Sequence, residues 1–238
     1  MRMVTTMKNE MFETISQRKS VRKYNLEPLK EEAMENVREL IANVKPLYPD
    51  IAYSVAITDK TKGMFNIKAP HYLIFTSEEK KGAAENIGFV GQQLDLKLSA
   101  KGYGTCWLGG SKPQDKDSSP LPPMLCMAFG ESVGSPHRTH SEFKRKPLAE
   151  ISSGTDERLE AARLAPSGMN QQNWFFIAEN NQIHCYRKKT KLGFTAKLAA
   201  IDIGIAICHL AMVSDEFSFS AQENVPQKKG FVYVGTVG

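Results

Sequence analysis

Three short stretches of the chain carry residue types at spacings that suit chemistry. The first is Gln17-Arg18-Lys19-Ser20-Val21-Arg22-Lys23-Tyr24, directly after a short helical pattern. Alternate side chains of an extended segment share one side, so Arg18, Ser20 and Arg22 would point together. Two guanidiniums flanking a hydroxyl suit an oxyanion, because arginine offers a planar fork of N–H donors. Taken alone, the run reads more readily as a solvated basic face. The second is Ala165-Pro166-Ser167-Gly168-Met169-Asn170-Gln171-Gln172-Asn173-Trp174. A loop of small and amide residues lets backbone come close to a flat ligand, with Asn170 and Gln172 as donors and acceptors; the bland alternative is a polar helix-to-strand turn. The third is Gly102-Tyr103-Gly104-Thr105-Cys106-Trp107-Leu108-Gly109-Gly110, an apolar strand ending in paired glycines. Backbone N–H groups at such a strand end can meet a ligand, although glycines there also simply make turns.

The surrounding elements must position these stretches. Periodicity predicts a helix over 9–17 with Phe12 and Ile15 inward, and a second over 28–44, opened by Pro28. Strands follow at 53–57 and 71–76. A helix over 83–100 carries the apolar stripe Ile87, Val90, Gly91, Leu94, Leu98 and is ended by Gly102. Strands at 103–108 and 124–129 complete the first part. Residues 131–155, rich in Ser, Gly, Pro and charge, read as a connection over the surface. The order then repeats: a helix over 156–164, a hairpin of 174–178 and 183–187 across Asn180-Asn181, a helix over 197–213, and strands at 217–221 and 231–237. Laying the two long helices together without gaps sets Ile87-Gly88 on Ile203-Gly204, Leu94 on Leu210 and Tyr103 on Phe219. The expectation is an α+β fold of two tandem half-repeats, 1–150 and 151–238, each a mostly antiparallel sheet with packed helices.

Composition narrows the classes. The net charge of +5 comes from scattered lysines and arginines, which argues against a nucleic-acid surface and suits an anionic cofactor. Cys106, Cys126, Cys185 and Cys208 lie in apolar stretches without CxxC or metal-ligand spacing, so reduced, buried thiols of a cytoplasmic protein are expected and no metal site. The longest apolar segment, 198–213, is interrupted by Asp202 and His209 and is short for a bilayer span, so a core helix and no membrane partner are expected. His71, His184 and His209 read as structural histidines, whereas His137 and His140 sit in the connecting segment, within reach of a phosphate at the arginines.

Together the three stretches resemble the nitroreductase family of FMN enzymes. Arg18, Ser20 and Arg22 match its Arg-x-Ser-x-Arg motif, and residues 165–174 its Ala-Pro-Ser-x-x-Asn-x-Gln-Pro-Trp loop. Residues 87–109 match its helix leading to Gly-x-Gly-Thr-x-Trp-x-Gly, and residues 145–148 its Arg-Lys-Pro-Leu segment. Two departures stand out. Asn173 replaces the family's proline, and the Ala-Pro-Ser loop is in the second half, where the first half has Lys45-Pro46-Leu47-Tyr48.

The resemblance implies roles. Arg18 and Arg145 would hold the FMN phosphate, with Lys146 and Lys19 beside them. Ser20 and Arg22 would face the ribityl chain and the pyrimidine edge, where a fixed cation favours the reduced flavin. Pro166, Ser167, Gly168, Asn170 and Gln172 would close over the flavin, and Leu108, Gly109 and Gly110 would offer backbone near N5 and O4. No side chain would be a nucleophile or metal ligand, since the flavin carries the hydride. The expected activity is ping-pong reduction of a nitroaromatic, quinone or similar small acceptor by NADH or NADPH, the alternative being a flavin store or sensor with little turnover. Family members are homodimers whose sites draw on both subunits. A tandem chain would therefore be a pseudo-dimer, monomeric or further associated, with one intact FMN site.

Overall fold

The computed structural model describes residues 2–63, 67–114, 119–191 and 193–238, with residues 2–7 as backbone alone. The chain runs α1 (Arg2–Gln17), α2 (Glu31–Ala42), β1 (Tyr53–Thr58), β2 (Thr61–Gly63), β3 (His71–Ser77), α3 (Ala83–Ala100), β4 (Gly104–Leu108), β5 (Ser111–Pro113) and β6 (Pro123–Gly130). It continues through α4 (Leu148–Ile151), β7 (Ser152–Ser153), α5 (Leu159–Leu164), β8 (Trp174–Glu179), β9 (Gln182–Lys188), α6 (Phe194–Met212), β10 (Phe219–Ser220) and β11 (Phe231–Val237). One sheet has the order β1-β3-β6-β4 and a second the order β10-β11-β9-β8-β7, while β2 and β5 form a separate ribbon. Pairing is antiparallel except between β7 and β8. This is the expected mixed α+β architecture.

Two long helices organise it. α3 packs Ile87, Val90 and Leu94 with Leu73, Phe75, Met127 and Phe129 of the first sheet and Met34 and Val37 of α2. α6 packs Ile203, Ile205 and Ile207 with Trp174, Phe176 and Cys185 of the second. By length and composition α6 could cross a membrane. Its residues from Ala199 to Leu210 are nonetheless all buried in the protein, which is what an all-round apolar helix does in a core. The two helices cross in near backbone contact. A Cβ at Gly88 would collide with the carbonyl of Ile201, and one at Gly204 with the carbonyl of Glu85. The Asn180-Asn181 hairpin turn forms as expected, with φ of 51° and 60° at the two asparagines. All four cysteines are free and buried.

Several expected boundaries shift for local reasons. α2 opens at Glu31, not Pro28, because buried Leu29 is held in the extended chain by its N–H on His71 Nε2 at 3.0 Å. Ile15 packs between Leu96, Ala161, Leu164 and Val213, but Phe12 sits at the rim, 38% exposed. α5 begins at Leu159 because Asp156 turns the preceding chain by accepting the Arg158 N–H at 2.9 Å. The segment 131–155 is not a mere surface connection. It bridges to Arg18 and Tyr24 through His137 and Ser132, carries α4, and adds β7 to the second sheet.

Candidate functional site

The arginine stretch is clamped on both sides. After α1 the chain runs extended beside β4, with Ser20 paired to Thr105 in parallel and the Val21 N–H on the Thr105 carbonyl at 2.8 Å. Gly104 lacks a side chain where Val21 packs. On the other flank Arg138 donates its N–H to the Gln17 carbonyl at 2.8 Å. Val21 and Tyr24 face the core, which fixes the register of their neighbours.

Arg18 is consequently buried. Its Nε lies 3.0 Å from Asp95 Oδ2 and its Nη2 3.4 Å from Ser20 Oγ. Arg22 stays exposed and folds back to donate to the Ser20 carbonyl at 3.4 Å. Lys19 lies towards Glu142, whose carboxyl is held below its usual range first by Thr139 N–H and hydroxyl bonds and further by the Lys19 charge.

Asp95 of α3 anchors a buried polar chain that reaches the other half of the molecule. Thr105 Oγ1 donates to Asp95 Oδ1, and Gln92 Nε2 to Asp95 Oδ2 at 2.7 Å. Gln92 also meets His209 Nε2 at 3.0 Å and accepts from Trp107 Nε1 at 3.2 Å. His209 Nδ1 lies 2.8 Å from the Ala161 carbonyl, which can only accept, so Nδ1 carries the proton and Nε2 accepts from Gln92. Burial pushes the His209 pKa down to about 3 and keeps this tautomer neutral.

The amide loop is tied to the Arg145-Lys146 segment. Arg145 donates to Asn170 Oδ1 at 2.6 Å and to the carbonyls of Ala165 and Leu164 at 3.0 and 3.2 Å. The Lys146 N–H meets Gln172 Oε1 at 2.7 Å, and its Nζ meets the Gln171 carbonyl at 2.9 Å. Ser167 Oγ accepts the Gln172 N–H at 2.9 Å, and Asp202 Oδ1 accepts the Gly168 N–H at 2.9 Å. These bonds hold Met169, Asn170 and Gln172 at φ of 51°, 57° and 50°, a left-handed conformation that side chains resist. Such strain persists where surrounding contacts over-determine it, commonly at binding sites.

Charge converges here. Arg138 and Arg145 lie over the Phe143 ring, 4.6 and 5.4 Å from its centroid. Burial, and then the Arg18 charge, push Arg145 down to about 9 and Arg138 down to about 10. Among the described residues neither Arg138 nor Arg145 forms an ion pair, whereas Arg18 has Asp95. Among the described residues, Arg18 Nη1 and Arg138 Nε are buried with no hydrogen-bond partner. At the other end, Leu198 of α6 packs 3.4 Å from where a Gly109 Cβ would sit and 3.9 Å from the same point at Gly168. The strand end and the amide loop therefore meet over α6. Leu108 is buried, and the Gly110 carbonyl packs against Gly63 of β2.

The structure thus gathers Arg18, Ser20, Arg145, Lys146 and the 166–172 loop, places Gly109 at their far side, leaves Lys19 and Arg22 outside the buried part, and turns Gly110 to the β2–β5 ribbon. His137 and His140 are engaged elsewhere, on the Ser99 carbonyl at 3.0 Å and Glu160 at 4.0 Å. Sequence reading missed Arg138 and Asp202. Arg138 sits in the 131–155 segment, whose composition reads as a surface connection, and Asp202 is the charge interrupting an apolar helix. A separate cleft of about 610 Å³ involves Lys8, Asp156, Arg158 and Asp215, but its cations are already paired with carboxylates.

A family model described as "Putative TM nitroreductase" matches residues 10–214. The chain belongs to this family. Among solved structures, this nitroreductase-family chain is similar to a putative nitroreductase from Thermotoga maritima, at 21% identity and a TM-score of 0.67 over 95% of this chain and 91% of that one. It also matches a nitroreductase family protein from Clostridium difficile 630 at 17% identity and a TM-score of 0.48, over 60% of this chain and 97% of that one. An FMN-dependent nitroreductase from Clostridium difficile R20291 matches at 12% identity and a TM-score of 0.44, over 60% and 98% of the two chains. No curated protein matches.

Proposed function

We propose that this chain is an FMN-dependent oxidoreductase that uses NADH or NADPH to reduce a nitroaromatic, quinone or similar small acceptor. The observation that carries the reading is the arginine cluster. Arg18, Arg138 and Arg145 repel one another and are partly or wholly buried, and among the described residues Arg18 Nη1 and Arg138 Nε lack hydrogen-bond partners, donors that a phosphate monoester would satisfy. Ser20 and the Lys146 ammonium would complete it. The 166–172 loop and Gly109, with no side chains on Gly109 and Gly168, leave room for a flat ring against Leu198. Bound FMN would supply hydride transfer at its N5. The chain's own task is to fix the phosphate, expose one ring face and exclude water from the other.

We further read the chain as a pseudo-dimer with one FMN site, the arginines coming from the first half and the loop from the second. One feature supports the two-fold and another the single site. The Gly88–Ile201 and Gly204–Glu85 contacts are related by the same shift along the sequence, as a two-fold between halves requires. Tyr48, whose N–H is held by Asn86 as that of Gly168 is held by Asp202, packs its ring against Gly82 and edge-on to Phe219, centroids 5.8 Å apart, where a second flat ring would otherwise lie.

The deciding experiment is FMN titration of the purified chain, followed by NADH and NADPH oxidation with a nitrofuran or menadione. About one flavin per chain and acceptor-dependent turnover are expected. Bound flavin without turnover would make the protein a flavin store or sensor, and no flavin binding would reject the reading.

A further inference from the structure

We infer that Asp202 is a proton-linked positioning residue of the site: its buried carboxylate holds Gly168 in the binding loop, and it takes up a proton when a flat heteroaromatic ring closes over that loop. The inference rests on the FMN reading above and adds a residue and a proton to it.

The two halves of the molecule provide an internal control. Asn86 lies two residues before Gly88 on α3, and Asp202 two residues before Gly204 on α6. Asn86 Oδ1 accepts the N–H groups of Leu47 and Tyr48 at 2.7 and 3.0 Å. Asp202 Oδ1 accepts the N–H of Gly168 at 2.9 Å. Each loop follows a proline, Pro46 or Pro166. Tethering the loop therefore needs only a neutral amide oxygen. A carboxylate in the same buried place is the costlier choice, since an ionised group loses hydration there. The half with the filled position carries the amide, and the half with the open position carries the acid.

Among the described residues no neighbour neutralises Asp202. On α3, Glu85 faces Arg187 of β9 at 3.5 Å and Asp95 faces Arg18. On α5, Arg163 is paired with Glu160 at 2.5 Å. On the second sheet His184 and Glu179 lie 3.3 Å apart, and on α6 itself His209 is neutral while Lys197 is lowered by burial first and faces Glu79 and Lys112. Asp202 responds to burial and to the Gly168 N–H alone, and burial has already pushed it up to about 7. Its Oδ2 lies 3.7 Å from where a Gly168 Cβ would be, towards the side left open by that glycine. A ring settling there would remove further water and favour the neutral acid. The proton comes from solvent and ends on the Asp202 carboxylate; no electron moves.

The test is calorimetric titration of the flavin-free protein at pH 7.5, with FMN and separately with riboflavin, in two buffers of different ionisation enthalpy. Binding of either flavin should take up part of a proton, at most about 0.7 for a carboxyl titrating near neutrality. Asp202→Asn keeps the tether, as Asn86 does, and should bind both flavins without buffer-dependent heat. Binding by the wild type with no proton uptake would overturn this inference and leave the FMN reading standing. Uptake with FMN but not riboflavin would assign the proton to the phosphate and overturn it too. Failure of either flavin to bind would reject the FMN reading itself, and this inference with it.

Discussion

Arg18 Nε and Asp95 Oδ2 lie 3.0 Å apart, with the two side chains 1% and 0% exposed. The pair is asymmetric. Asp95 also receives Thr105 and Gln92, whereas Arg18 keeps an unpartnered Nη1. Removing the carboxylate strands a buried cation, an error that costs about 3–5 kcal/mol. Removing the guanidinium leaves a carboxylate that still has two donors. Asp95→Ala should therefore lower the urea midpoint well below that of Arg18→Met, even though Arg18 is the residue assigned to the ligand. Equal losses would show that Arg18 does not depend on Asp95 for its place.

On the FMN reading, Arg138 would separate phosphate binding from ring binding. Its guanidinium lies over Phe143 and holds no part of the 166–172 loop, whereas Arg145 bonds Asn170 and the Ala165 carbonyl. A charge-assisted hydrogen bond is worth about 1.5–3 kcal/mol, or roughly 10- to 100-fold in affinity. Arg138→Ala should weaken FMN by that factor and leave riboflavin unchanged, while Arg145→Ala should weaken both. Fluorescence titration with the two flavins reads the difference. Equal loss for both flavins in Arg138→Ala would remove it from the phosphate site.

How much of this was legible in the sequence depended on whether a feature is local. α3 was readable to the residue because its stripe and Gly102 are encoded along one helix. The Asn180-Asn181 turn was readable because asparagine tolerates left-handed backbone. The start of α2 was not, because what holds Leu29 extended is His71, forty-two positions away. Arg138 escaped for the same reason: its place beside Arg18 comes from a backbone bond to Gln17 that no local pattern announces. Asp202 was seen and misjudged as an interruption, since its meaning lies in the comparison with Asn86 across the helix crossing.

The helix crossing itself is testable. A methyl at Gly88 or Gly204 would meet a carbonyl of the opposite helix, and main chain cannot yield as a side-chain tip does. Overpacking of this kind costs about 1–3 kcal/mol. Gly88→Ala and Gly204→Ala should each destabilise the protein in urea by that amount, and by similar amounts if the halves are related by a two-fold. Loss in one variant alone would break the proposed symmetry.

Two buried groups should give the stability a pH dependence of opposing signs. His209 is lowered to about 3, from an ordinary value near 6.5. Between these values the unfolded chain binds a proton that the folded one refuses, so this contribution is present above about 6.5 and is lost as pH falls towards 3. Asp202 is raised to about 7, from an unfolded value near 3.9. Here the folded chain keeps the proton, so the contribution is present below about 3.9 and is lost as pH rises through 7. In the shared window, roughly pH 4 to 6.5, the two slopes oppose, each approaching about 1.4 kcal/mol per pH unit. His209→Asn keeps a donor for the Ala161 carbonyl without the titration, and should become relatively more stable as the medium is acidified. Asp202→Asn should do the reverse, losing stability steadily with acid. Urea denaturation across that window measures both slopes. If wild type and the two variants run parallel, neither group titrates in its buried place, and the argument for a proton at Asp202 loses its support from stability.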